Sequence, residues 1–133
     1  MNKYRDKSDF EINKAVAVSL GYTAEYENES VTVFRNNNGG MPLVVSATAD
    51  SPDNFDPCNK PADAMPIVIE HKICMAYDVF AEEHDGGSWV AQPAYGFSDE
   101  RVRSDNYYRA AMICFLMMKD TENEKVGGSV EIK

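Results

Sequence analysis

The segment that most constrains the fold runs from residue 55 to residue 75 and reads FDPCNKPADAMPIVIEHKICM. Pro57 and Pro61 restrict φ there, and short polar side chains around them can satisfy the backbone N–H groups of a tight turn. The apolar run after the second proline is too hydrophobic to remain in water. The segment therefore predicts a rigid turn at 55–61, followed at once by an element that packs in the core.

The spacing of apolar residues after this turn predicts a helix. One helical face would carry Ala62, Met65, Pro66, Ile69 and Ile73. Asp63 is a favourable N-cap, and a helix that begins there places Pro66 at the third helical position, where the N–H has no intrahelical partner. A start at Pro61 would place Pro66 in the helix interior, at a cost of about 3 kcal/mol. We therefore predict a helix over 63–73.

The N-terminal region predicts one helix and three strands. Ser8 and Glu11 have capping-box spacing, and Gly21 stands where a left-handed residue ends a helix, which predicts a helix over 8–20. β-prone runs follow at 22–26, 31–35 and 42–49. The first two runs are separated by a short polar segment, so we expect them to form a hairpin.

The region after residue 73 is less regular. The run at 74–80 alternates weakly, a short strand is expected at 89–92, and residues 96–104 have the composition of an exposed loop.

The last helix is the clearest in the sequence. It is predicted over 105–118, with Ser104 or Asp105 as its cap, and apolar residues cover most of its circumference. Such a helix must pack on the sheet or in a subunit interface. The polar segment 119–133 predicts a mobile C-terminal tail.

These elements predict an α/β (α+β) sandwich, with a small, mainly antiparallel sheet of three to five strands packed against about three helices. A chain of 133 residues corresponds to about one domain. We assign this single α/β domain to 1–118 and the tail to 119–133.

Charge and cysteine usage exclude several function classes. The net charge of −9 opposes contact with a phosphate backbone, so we expect no direct nucleic-acid binding. The cysteines Cys58, Cys74 and Cys114 are odd in number, which predicts three reduced thiols. No apolar run approaches the length of about 18 residues that a membrane span needs, and the N-terminus has no signal core, so we expect a cytoplasmic protein.

Two chemical hypotheses are weak. In the first, Cys58 would be a nucleophile and His71 its base, but the sequence shows no recognisable third group that would orient the base. A zinc site would use Cys58, His71, Cys74 and His84 as ligands. These four residues do not form the paired-ligand motifs that are typical of zinc sites. We therefore predict no catalytic residue, no metal and no cofactor.

The candidate ligand-binding residues are Asp56, Asn59, Asp63, Trp89, Tyr95 and Arg109. The first three belong to the turn region, where capping of the backbone explains Asp56 and Asp63 more simply than a binding site does. Arg109 carries a positive charge near a helix N-terminus, which is unfavourable unless it has an anionic partner. That partner would be either a ligand or a structural carboxylate, Asp56 or Asp63.

Three separated blocks carry a family resemblance: SDFEIN at 8–13, FDPCNKPADAMPI at 55–67 and RAAMICFLMM at 109–118. The sequence resembles the lambdoid-phage accessory proteins called NinX and, more distantly, a phage domain described as an α-β-α sandwich. The resemblance implies a phage or prophage origin and an α/β fold. It implies no activity, because none is established for that family.

We expect a non-enzymatic accessory protein that binds a host or phage protein. One alternative is a protein that binds a small anionic ligand or nucleotide. Another is an acidic inhibitor of a host DNA-binding protein, in which the carboxylates near residues 25–29 and 82–85 imitate phosphates. The sequence does not predict the oligomeric state.

Overall fold

The computed structural model describes residues 3–48, 54–94 and 101–131, and the side chains of these residues up to 123. Its elements are α1 (Asp9–Ser19), β1 (Tyr22–Glu27), β2 (Val31–Asn36), β3 (Leu43–Ser46), α2 (Pro61–Glu70), β4 (Ile73–Tyr77), β5 (Trp89–Pro93), β6 (Val102–Ser104) and α3 (Tyr107–Glu131). A short 3-10 turn at Glu83–Asp85 lies between β4 and β5. The predicted α+β class is confirmed.

The strands form two antiparallel sheets in the described part of the chain. The N-terminal sheet has the order β1-β2-β3, and the C-terminal sheet has the order β4-β5-β6. The predicted hairpin is confirmed, since β1 pairs with β2 from Tyr22 opposite Asn36 to Glu27 opposite Thr32. The strands thus divide between two small sheets instead of forming the one that was expected.

The local signals of α1 are confirmed. Ser8 is the N-cap, and its Oγ accepts the N–H of Glu11 at 3.2 Å. Gly21 follows the helix with φ of +100°, a value that favours glycine. These signals lie within the segment itself, which is why the sequence predicts them well.

Helix α3 is the centre of the packing. It contacts α1, α2 and all three strands of the C-terminal sheet, and every residue from Ala110 to Leu116 is buried. The prediction that this helix ends at 118 is wrong, because α3 continues to Glu131. The residues after 118 are polar yet continue the helix, and Tyr4 donates to Asp120 at 2.6 Å, which joins that part of α3 to the N-terminal segment. Mobility of 119–133 stays a prediction.

The predicted bounds and face of α2 are wrong. The helix begins at Pro61, which fits the first helical position, and therefore contains Pro66 in its interior. It ends at Glu70, since Lys72 has φ of +57° and β4 begins at the next residue. Its buried residues are Ala64, Ile67 and Val68. The expected face is mostly exposed, and Ile69 is 68% exposed.

One strand was missed. Residues 102–104, expected in a loop, form β6, which pairs with β5 from Trp89 opposite Ser104 to Ala91 opposite Val102. The chain approaches this strand closely at Gly87, where a Cβ atom would overlap the backbone of Ser104. A three-residue strand is too short to give a periodic signal in the sequence.

Candidate functional site

The structure brings four of the predicted site residues together at the N-terminal end of α3. Asp56, Asn59 and Asp63 lie in or beside the turn that precedes α2, and Arg109 lies in the first turn of α3. We call this group, with Asn13 and Asn106, the turn cluster. Trp89 lies nearby but outside it, and Tyr95 lies outside the described residues.

Asp56 is the buried centre of the turn cluster, with 3% of its surface exposed. Its carboxylate accepts the side-chain amide of Asn13 at 2.8 Å and that of Asn59 at 3.1 and 3.2 Å. Its backbone N–H donates to Asp63 at 2.9 Å. Burial of a charged group is tolerated when it is hydrogen-bonded in this way, and here the partners belong to the protein itself.

Asn106 and Asn13 are members of the turn cluster that the sequence interpretation missed. The Oδ1 of Asn106 accepts the N–H groups of Tyr108 at 2.9 Å and Arg109 at 3.2 Å, so Asn106 caps α3. The predicted caps, Ser104 and Asp105, are wrong. The Nδ2 of Asn106 donates to the carbonyl of Cys58 at 2.8 Å and fastens the turn to α3. A residue of cap type directly before an apolar helix was the signal that could have found it.

Arg109 has a structural carboxylate partner, but not one of those expected. Its Nη1 donates to Asp9 at 2.6 Å, and its Nη2 donates to the carbonyls of Arg5 at 3.2 Å and Lys7 at 2.6 Å. Asp9 opens α1, so the contact joins the first turns of α1 and α3. These hydrogen bonds engage both Nη atoms, and ligand binding by the turn cluster stays a prediction.

Trp89 contributes to a different group of side chains. Its ring meets those of Tyr77 and Tyr107 edge to face, each with centroids 5.0 Å apart. These rings lie on the side of the C-terminal sheet that faces α3. Among the described residues, no hydrogen bond or ring contact joins Trp89 to the turn cluster.

The other face of the C-terminal sheet carries a depression lined by described residues of all three strands. Ala76, Val90 and Arg103 stand opposite one another across the three strands. They line part of a depression of about 250 Å³, which we call the sheet depression. Val90 is 8% exposed yet does not belong to the main core cluster, because it lies on this opposite face.

The segment 77–80, which we call the apolar loop, begins at the end of β4 and carries three exposed apolar side chains, and its residues Tyr77 and Asp78 line the sheet depression. Tyr77 is 56% exposed, Val79 72% and Phe80 87%. The loop is shaped by Asp78, whose Oδ1 accepts the N–H of Phe80 at 2.9 Å and whose Oδ2 accepts Nη2 of Arg103 at 2.9 Å. The hydrogen bond from Phe80, and then that from Arg103, hold the pKa of Asp78 below its usual value.

A family model for the phage protein described as Bacteriophage P22, NinX matches residues 3–119. The chain belongs to the NinX family. The comparison with curated proteins gives no match, and neither does the comparison with solved structures. The matched region contains both the turn cluster and the apolar loop, so both features belong to the NinX-like part of the chain.

The geometry of this NinX-family chain does not form the Cys58–His71 pair. Cys58 precedes α2 and His71 follows it, and the ten residues of that helix span about 15 Å. Cys58 is fully buried, and burial, followed by the nearby carboxylate of Asp9, raises the pKa of its thiol. The thiol is therefore protonated at neutral pH and is a poor nucleophile.

His71 and the metal-ligand types of this NinX-family chain are placed as follows. The ring of His71 packs against Phe115 with centroids 4.8 Å apart, and burial lowers the pKa of His71. Within the described residues, no three His, Cys, Asp or Glu side chains form a group that can hold a metal ion. No helix in that part of the chain is long and apolar enough to cross a membrane.

Proposed function

We propose that this NinX-family phage protein acts by binding another protein, from the phage or the host, through a docking face. The docking face consists of the apolar loop at 77–80 and the adjacent sheet depression. The observation that carries the proposal is the exposure of Val79 and Phe80, 72% and 87%, on a turn held by its own hydrogen bonds. Contiguous exposed apolar side chains of this kind are typical of protein interaction sites.

The energetics support this use of the loop. Burying a Val or Phe side chain at an interface contributes about 1.5–3 kcal/mol. Because Asp78 fixes the backbone of Phe80 through a 2.9 Å hydrogen bond, less conformational entropy is lost on binding. Phe80 is therefore expected to be an anchor residue, with Tyr77 and Val79 beside it.

We assign the partner to another protein rather than a second copy of this chain. Each copy carries a net charge of −9, so two copies repel one another. The exposed carboxylates of Glu82 and Glu83 follow the apolar loop directly and would approach their own equivalents in a symmetric dimer.

Co-purification from phage-infected cells tests the proposal. Tagged wild type, Phe80→Ser and the control Ile69→Ser are compared by quantitative mass spectrometry. Ile69 is also exposed, at 68%, but lies on α2 away from the docking face. The proposal predicts that at least one protein co-purifies equally with the wild type and with Ile69→Ser. The amount of that protein recovered with Phe80→Ser should fall about tenfold or more, which corresponds to about 1.4 kcal/mol of binding free energy.

Two results would contradict it. One is a set of co-purified proteins that does not differ between Phe80→Ser and Ile69→Ser. The other is a homodimer of the wild type, detected by sedimentation velocity, that Phe80→Ser dissociates. The small-ligand and phosphate-mimic alternatives stay predictions.

A further inference from the structure

Arginine is distributed unevenly over this acidic protein. The chain has a net charge of −9 and five arginines, and three of them, Arg5, Arg101 and Arg103, line one small cleft. The cleft has a volume of about 120 Å³ and is completed by Asp85 and Gly86. We call it the arginine cleft. Like-charged side chains gathered in this way repel one another unless an anion lies between them.

The chain builds the cleft from three separate segments. Arg103 lies in β6, where its Nη2 donates to Oδ2 of Asp78 at 2.9 Å and its Nη1 donates to the carbonyl oxygen of Gly87 at 3.3 Å. Arg5 arrives from the N-terminal segment and passes over Gly86, where a Cβ atom would lie 3.6 Å from its Nη2 and 3.8 Å from the Cβ of Arg103. Gly86 also has φ of +96°, so the turn beneath Arg5 favours glycine.

Two of the three guanidinium groups lack a hydrogen-bonded partner among the described residues. Arg103 has Asp78 as its partner, whereas the side chains of Arg5 and Arg101 make no hydrogen bond or ion pair to any described residue. The carboxylate of Asp85 adds one negative charge to the lining of the cleft against three positive ones, and it accepts the backbone N–H of Glu82 at 2.8 Å. The guanidinium groups of Arg5 and Arg101 thus carry donors that no described residue accepts, and an anion is the partner that suits them.

The cleft is continuous with the docking face. Arg101 and Arg103 line both the arginine cleft and the sheet depression, whose apolar lining includes Ala76 and Val90. A chain segment lying over both would place an apolar side chain in the depression and a neighbouring anionic group in the cleft. A volume of about 120 Å³ accommodates one carboxylate, but lies well below the roughly 300–1,000 Å³ of small-molecule sites.

We propose that the arginine cleft binds a side-chain carboxylate of the partner, so that the partner's contact segment carries Asp or Glu next to an apolar residue. This inference rests on the proposed function, which identifies the ligand as part of a protein. The planar guanidinium fork matches a carboxylate in geometry, and charge-assisted hydrogen bonds are the stronger kind.

An NMR titration of the full chain tests the inference. The probe is an acetylated, amidated peptide of alternating Glu and Leu, and its matched control has Gln in place of Glu. The Glu peptide is expected to shift the amide signals of Gly86, Val102 and Arg103, and to bind more weakly as NaCl rises from about 50 to about 500 mM. The double variant Arg5→Gln, Arg101→Gln is expected to bind it about fivefold more weakly or worse.

Arg35→Gln is the control variant, because Arg35 is exposed in β2 of the other sheet and its loss should leave peptide binding unchanged. The inference is overturned if the Gln peptide binds equally well, or if the double variant binds as the wild type does. It is also overturned if inorganic phosphate binds in the cleft and the Glu peptide does not.

The NMR titration and the co-purification experiment can succeed or fail independently. A negative titration together with selective loss of a partner by Phe80→Ser would remove the carboxylate site and leave the docking face. A positive titration without any partner lost by Phe80→Ser would establish the carboxylate site and remove the proposed docking role.

Discussion

The turn cluster and the docking face differ in how their chemical groups are used. In the turn cluster the buried carboxylate of Asp56 and the guanidinium of Arg109 are hydrogen-bonded to other parts of the protein. On the docking face Phe80 is 87% exposed, and Arg101, which lines the sheet depression, makes no ion pair with a described residue. A concentration of polar residues in a sequence therefore indicates a turn held by internal hydrogen bonds as readily as a binding site.

The largest expected effect comes from removing the centre of the turn cluster. Asp56→Ala leaves the buried amide of Asn13 without its acceptor, so we expect a loss of about 2–4 kcal/mol in the free energy of unfolding. Urea denaturation measures it, with Asp105→Ala as a control at an exposed carboxylate. A loss as small as that of the control would break the comparison, because Asp56 would then be dispensable for the fold.

A much smaller effect on stability is expected from the docking face. Phe80→Ser removes an exposed ring and keeps the backbone N–H that Asp78 accepts, so the free energy of unfolding should change by less than about 0.5 kcal/mol. The same urea denaturation measures it. A loss comparable to that of Asp56→Ala would show that Phe80 belongs to the core, and the two regions would no longer differ.

The smallest effect is a pH dependence that links the apolar loop to the arginine cleft. The folded-state pKa of Asp78 is lowered, first by the N–H of Phe80 and then by Arg103. Its contribution to stability is therefore present above the unfolded value of about 3.9 and is lost as the pH falls through the folded value.

Carboxyl ¹³C NMR can follow this titration. Arg103→Gln should raise the Asp78 midpoint yet leave it below the usual value, because the hydrogen bond from Phe80 remains. An unchanged midpoint in Arg103→Gln would show that the ion pair does not act on Asp78.

The sequence predicted those parts of the fold whose signals are local. Ser8 and Gly21 bracket α1 within one segment, and the β1–β2 hairpin follows from two adjacent runs. The predicted start of α2 was wrong because the prediction gave the cost of an interior Pro66 more weight than the preference of Pro61 for the first helical position. Local propensity predicted the wrong bounds and the wrong buried face of α2, because the tertiary packing of Ile67 and Val68 decides which face is buried.

The candidate site was harder to predict, because its contacts are distant in sequence. The turn residues and Arg109 do lie together, but Arg109 pairs with Asp9, which is 100 positions away. Asn13 lies within the predicted helix 8–20, and only the fold brings it to Asp56. The arginine cleft had no sequence signal, since Arg5 is distant in sequence from Arg101 and Arg103 and meets them only in the fold.

Thermal unfolding of Arg109→Ala tests most directly the claim that the turn cluster is structural. The variant loses hydrogen bonds to Asp9, Arg5 and Lys7, worth about 2 kcal/mol together. The account predicts a fall in Tm of about 5–10 °C. An unchanged Tm, together with loss of the partner found by co-purification, would contradict it and make Arg109 a binding residue.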